Sequence, residues 1–175
     1  LVEMKRRLDE GAIGQIRAVQ GDLGALRAYD PADRLFAPEL GGGAMLDLGV
    51  YALSFVQHVL GTPSWVSANG SRYPNGVDAE AAMLLGYEDG RSATVHVALK
   101  TPGPGRMIIF GTEGFVEVCP RFHHPDAVVL HRGQDEERIA LPPLGRGYAH
   151  ELIEVGRCLD ERLLESPTMP LADTL

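Results

Sequence analysis

Asp47 and Tyr51 are the residues of this 175-residue chain whose types and spacing could do chemistry. They stand four residues apart in GGGAMLDLGVYALSFVQHVLG, residues 41–61, a stretch that is otherwise almost wholly apolar. Residues i and i+4 share a helix face, and long side chains lean back toward the helix N-terminus. The spacing therefore predicts that the Tyr51 ring lies over the turn carrying Asp47. A helix apolar all round is expected to be buried, and a carboxylate within it is costly unless paired. Two polar groups converging on one spot of an otherwise apolar element have the look of a site. The same residues also fit a plainer arrangement. Asp47 would then be a helix-start carboxylate stabilised by the helix dipole, and Tyr51 a core residue with a satisfied hydroxyl.

Fewer residues elsewhere invite a chemical reading. Arg34 precedes the glycine-rich turn and could reach a substrate oxygen, although a surface ion pair with Asp33 or Glu39 is the commoner outcome for such a residue. Tyr148 and His150 open a C-terminal helical stretch and are candidates to approach a substrate; helix-start packing explains them equally well. His123 and His124 sit between Pro120 and Pro125 in an expected loop. Adjacent histidines point apart in extended chain, so they are not read as metal ligands. His96 falls on the more polar face of a strand, solvated or at a subunit contact.

These residues must be positioned by elements that the pattern partly reveals. Leu1, Met4 and Leu8 recur at helical spacing and Gly11 is a natural stop. Residues 15–23 read as a strand, residues 24–41 as a loop, and the long apolar stretch as about five turns of helix ended by Gly61-Thr62-Pro63. Alternation then takes over. Residues 78–87 and 91–100 form a hairpin through Glu88-Asp89-Gly90, and residues 107–110 and 115–118 form a second. Residues 127–132 and 137–141 form a third, and residues 148–164 return to helical spacing. The expected fold class is α+β: an open, mostly antiparallel β-sheet of six or so strands with helices packed on one face. Ala and Val recur on both faces of several strands, so another subunit is expected to cover the opposite face.

Composition sets the outer limits. With 45% hydrophobic and 23% charged residues, the chain is expected to be a single domain over 1–175 with its own core. A net charge of -8 argues against nucleic acid or an anionic membrane as partner. Cys119 and Cys158 form no C-x-x-C pair, and residues 1–10 are charged and amphipathic with no apolar signal core. A reducing, cytoplasmic location is expected. The run from Ala44 to Leu60 is slightly short for a membrane span and contains Asp47, Gln57 and His58. No G-x-G-x-x-G follows a strand, no Walker-type loop or G-x-S-x-G elbow is present, and no metal-ligand spacing is found.

The segment GGGAMLDLGVY resembles the G-G-G-x-x-x-D-x-G-x-[HY] helix of the glucose–fructose oxidoreductase, inositol dehydrogenase and MocA-type oxidoreductases. DEGAIGQIRAVQGDLG, RLFAPELGGG, FGTEGFVEV and the closing GYAHELIEVGRCLDERLLESPTMPLADTL are similar to that family in the same order. The resemblance implies a C-terminal domain of the dihydrodipicolinate reductase-like kind. Residues 1–11 would be the remnant of an inter-domain helix, with the Rossmann domain missing from this sequence. NAD or NADP would belong to the full-length parent and none is expected on these residues, so the isolated domain is expected to be inactive. The resemblance implies a sugar-, polyol- or dihydrodiol-like small-molecule substrate, a nicotinamide-dependent oxidoreductase as parent, and a homo-oligomer through the sheet face. Asp47 and Tyr51 would be catalytic. Asp47 would orient a lysine of the missing half or a substrate hydroxyl, and Tyr51 would donate to the reacting oxygen or relay its proton. Tyrosine at position 51 leans toward the glucose–fructose oxidoreductase and dihydrodiol dehydrogenase-like branches, away from members with histidine there. A stand-alone dimerisation or small-ligand module is the alternative.

Overall fold

The computed structural model describes residues 2–142, 144–145 and 148–174. Its centre is an eight-stranded sheet built from β1 (Ile16–Gly24), β2 (Trp65–Arg72), β3 (Asp78–Gly86), β4 (Ser92–Ala98), β5 (Met107–Gly111), β6 (Phe115–Val118), β7 (Ala127–Arg132) and β8 (Asp135–Ala140). The spatial order is β2-β3-β4-β1-β5-β6-β7-β8. The three expected hairpins are β3–β4, β5–β6 and β7–β8, all antiparallel. β1 inserts between β4 and β5 and runs parallel to β4, so the sheet is mixed. The strand that no expected range covers is β2, whose WVSANGSR has no alternating apolar face; it forms as an edge strand by pairing with β3.

Alternation decides which side is buried. Val19, Ala93, Val95, Val97, Met83 and Leu85 point to one face and are buried there, while Gln20, Thr94, His96, Ala82 and Leu84 point to the other and are open. Two helices cover the buried face. α1 (Val2–Asp9) contributes Met4 and Leu8; Met4 lines one small gap with Val116, Val128, Leu130 and Ile139, and Arg7 pairs with Glu137 at 3.2 Å. Leu1, expected on the same stripe, lies outside the described residues.

α2 (Val50–Leu60) buries Ala52, Phe55, Val56 and Leu60 against the sheet. The stretch Pro38–Leu60 is long and apolar enough, by length and composition, to cross a membrane. These buried residues make it a core helix. It is not buried all round, however: Leu46, Val50 and Tyr51 are exposed because that face turns away from the sheet. Residues 24–41 are less irregular than expected, carrying two short 3₁₀ turns, Arg34–Phe36 and Pro38–Leu40. The third helix, α3 (Ala149–Asp160), buries none of its residues. The expectation that the helices pack on one face of the sheet therefore holds for α1 and α2 and not for α3.

Candidate active site

The helix that carries Asp47 begins irregularly. Met45–Gly49 is a π-helical turn, with the Val50 N–H directed at the Met45 carbonyl, and it runs directly into α2. Single π turns recur at functional sites because they re-aim side chains. The turn has no cap from its own segment. Instead Asp78, the first residue of β3, accepts the Met45 N–H through Oδ2 at 2.6 Å. Gly43 approaches the same carboxylate with φ 119, and a Cβ there would come within 2.3 Å of Asp78 Oδ1. The glycine-rich turn is thus fitted to Asp78, the structural role expected for these glycines.

Asp47 and Tyr51 are on this helix start, but each has its own neighbour. Arg34 Nη2 donates to Asp47 Oδ1 at 2.8 Å, with side-chain exposures of 59% for Arg34 and 24% for Asp47. The expected pairing of Arg34 with Asp33 or Glu39 is corrected here. Asp33 instead caps the first 3₁₀ turn by accepting the Leu35 N–H, leaving Arg34 free to reach across the turn. Its hydrogen bond to Asp47 and that carboxylate's charge raise the Arg34 pKa, so the guanidinium stays a permanent cation. The loop behind Arg34 is held by Phe36, which is buried and meets Tyr29 and Tyr73 edge-on. Asn75 Nδ2 donates to the Phe36 carbonyl at 2.6 Å.

Tyr51 is 45% exposed, and its ring lies 5.3 Å from that of His123, centroid to centroid. Among the described residues its hydroxyl has no hydrogen-bond partner, and none joins it to Asp47. His123 and His124 do not point apart: residues 121–124 form a turn, closed by the His124 N–H on the Arg121 carbonyl, and the two rings meet at 4.5 Å. Tyr148 and His150 are exposed at the start of α3; among the described residues no hydrogen bond or ring contact links them to Asp47 or Tyr51. No group of three or more His, Cys, Asp or Glu among the described residues could hold a metal ion. The surface therefore offers a carboxylate with one oxygen already fixed, a permanent cation, an open phenol and an imidazole. Such a set can orient a hydroxyl and exchange its proton.

Comparison with known proteins gives this surface its context. Residues 1–117 match the model of the GFO/IDH/MocA C-terminal domain. The chain belongs to that family. Relatives of the GFO/IDH/MocA domain include the trans-1,2-dihydrobenzene-1,2-diol dehydrogenase of Xenopus tropicalis, 30% identical over 98% of this chain and 54% of that protein. The Xenopus laevis enzyme of the same name is 32% identical over the same shares. Among solved structures, the aldose-aldose oxidoreductase from Caulobacter crescentus superposes with a TM-score of 0.79 at 24% identity, covering 93% of this chain and 50% of that one. A levoglucosan dehydrogenase bound to NADH and levoglucosan gives 0.80 at 21% identity, covering 97% and 55%. The chain spans about half the length of the curated relatives it matches. The GFO/IDH/MocA likeness confirms the α+β class and the family expected from GGGAMLDLGVY.

Two positioning residues escaped the sequence. Asp78 reaches the site from a strand that follows α2, and His123 from a loop on the far half of the sheet. For Asp78 the one available signal was that a helix start without its own capping residue must find an acceptor elsewhere.

Proposed function

We propose that this domain is the substrate-side half of an NAD(P)-dependent oxidoreductase acting on a hydroxyl of a sugar, polyol or dihydrodiol. The observation that carries the reading is that one helix start carries both Asp47, paired with Arg34, and the exposed Tyr51. The dihydrodiol dehydrogenase relatives and the levoglucosan-bound neighbour support the substrate class. The described residues do not fit a dinucleotide: no strand runs through a glycine-rich turn into a helix, so NAD(P) would be held by the remaining half of the protein. When bound there it supplies hydride chemistry. The residues here handle the proton. As an alcohol becomes a carbonyl, the Tyr51 oxygen exchanges the hydroxyl proton, and Asp47, fixed by Arg34, keeps one oxygen to accept a hydrogen bond from the substrate. Tyr148 and His150 are not required by this scheme. Both cysteines are free, in keeping with a cytoplasmic location.

In the full-length protein, Tyr51→Phe and Asp47→Asn should each lower turnover of a polyol substrate by about a hundredfold or more while leaving the coenzyme dissociation constant within about twofold. Steady-state kinetics with coenzyme titration reads both. Unchanged turnover in both variants removes the pair from the mechanism.

A second role is favoured by the open face of the sheet. Trp65 and Leu84 are exposed there, beside a shallow trough of about 410 Å³ bordered by Gln20, Ser67, Asn69, Thr94 and His96. This face is assigned to self-association, because exposed apolar side chains on an otherwise polar surface mark interaction sites. Sedimentation tests it: a monomer at high concentration removes the oligomer role.

A further inference from the structure

The β6–β7 loop holds the Tyr51 side of the site in place by several independent contacts. Arg121 adopts φ 65, a left-handed conformation unusual for a residue with a Cβ. The Phe122 N–H donates to the Gly105 carbonyl at 2.8 Å, and the His124 N–H to the Arg121 carbonyl at 2.8 Å. Phe122 is buried and meets the Phe55 ring edge-on at 5.7 Å. Phe55 lies one helical turn beyond Tyr51 on α2, on its buried side. The contact that anchors the loop therefore also sets His123 beside Tyr51. Phe122 and His124 brace the imidazole at near-right angles, at 5.7 and 4.5 Å. His123 is nonetheless exposed, and neither ring nitrogen has a partner among the described residues.

A fixed imidazole with two unused nitrogens thus stands next to an open phenol. Partial burial, then the charges of His124 and Arg121, push the His123 pKa down, so the ring is neutral near pH 7 and offers one donor and one acceptor. Side chains each about 2.8 Å from their own oxygen can serve oxygens on adjacent carbons. We propose that His123 is a specificity-determining residue that contacts the hydroxyl adjacent to the one served by Tyr51, so that the site selects vicinal diols. This rests on the reading of Tyr51 as the residue facing the reacting hydroxyl.

In the full chain, histidine Cε1–H resonances are followed by NMR while trans-1,2-cyclohexanediol or cyclohexanol is added. The diol is expected to shift the His123 resonance at concentrations about tenfold lower than the mono-alcohol requires. His123→Phe keeps the ring and removes the nitrogens; it should weaken diol binding about tenfold, read on the Tyr51 resonances, and leave cyclohexanol unaffected. His123→Asn, which keeps a donor and an acceptor, should restore part of the preference. Equal response to both alcohols, or diol binding unchanged in His123→Phe, overturns the proposal. Turnover separates it from the parent reading. A diol-selective His123 in a protein that oxidises no alcohol with NAD or NADP sinks the enzyme and leaves the diol contact standing. Alcohol oxidation with a silent His123 does the reverse.

Discussion

α2 and α3 are helices of nearly equal length, 11 and 12 residues, and they are held in opposite ways. α2 buries Ala52, Phe55, Val56 and Leu60 in the core, and its entry turn is tied to β3 through Asp78. α3 buries nothing; its stripe of Leu152, Val155 and Leu159 is bare, with Leu159 71% exposed. What fixes α3 is polar: Arg157 and Ser166 converge on Glu154, joining the helix to the turn that follows it. The difference teaches that helical periodicity reports a helix but not its floor. A helix start with two fixed points, core and cap, can hold Asp47 and Tyr51 in a set geometry. A helix tied only by surface polar contacts cannot set Tyr148 and His150 with the same precision.

The sharpest way to break this contrast is to truncate one large side chain on each helix. Phe55→Ala should cost about 3–5 kcal/mol, because it opens a cavity under α2 and strips Phe122 of its edge-on partner. Leu159→Ala should stay within about 0.5 kcal/mol. Urea unfolding of both variants checks it, and comparable losses would mean that α3 is packed after all.

The cap is the next largest effect. Asp78→Ala leaves the Met45 N–H without its acceptor and should cost about 1–2 kcal/mol. Asp78→Asn, which keeps an acceptor oxygen, should recover a good part of that. If the link is also what positions the site, amide exchange at residues 45–51 should quicken in Asp78→Ala while exchange in β7 stays slow. Uniform quickening would make Asp78 a general stabiliser.

The same contrast explains what the sequence made legible. The three hairpins were readable because turn and alternation are adjacent in the chain, and α2 because its apolar run is continuous. β1 between β4 and β5 was not: a parallel pair such as Ala18↔Ser92 joins distant segments and leaves no local mark. At the site, Asp47 and Tyr51 stood out as polar residues in an apolar helix. Their neighbours did not. Arg34 had nearer carboxylates in sequence, and only the capping role of Asp33 frees it for Asp47. His123 reaches Tyr51 because Phe122 packs on Phe55 across the core, a contact invisible to spacing rules. Hydropathy predicts burial on the exposed side of α2 because it does not say how wide the covering sheet is.

The smallest effect concerns the polar tie of α3. Hydrogen bonds from Arg157, then Ser166, hold the Glu154 carboxyl down to about 2 against an ordinary value of 4.5. A carboxylate depressed in the folded state contributes stability that is fully present above its unfolded pKa and is lost as pH falls toward the folded one. The tie between α3 and residues 166–168 should therefore be unchanged from pH 7 to 5 and should loosen between about 4.5 and 2. The group is half-buried at the surface beside solvent-exposed partners and is screened by solvent, so the effect is local and leaves the global unfolding midpoint nearly unmoved. NMR line positions for residues 154–168 should titrate in that window while those of residues 52–60 stay still, and Glu154→Gln should abolish the α3 titration. Loosening already between pH 7 and 5, or the two helices titrating together, would show that α3 is coupled to the core that holds α2.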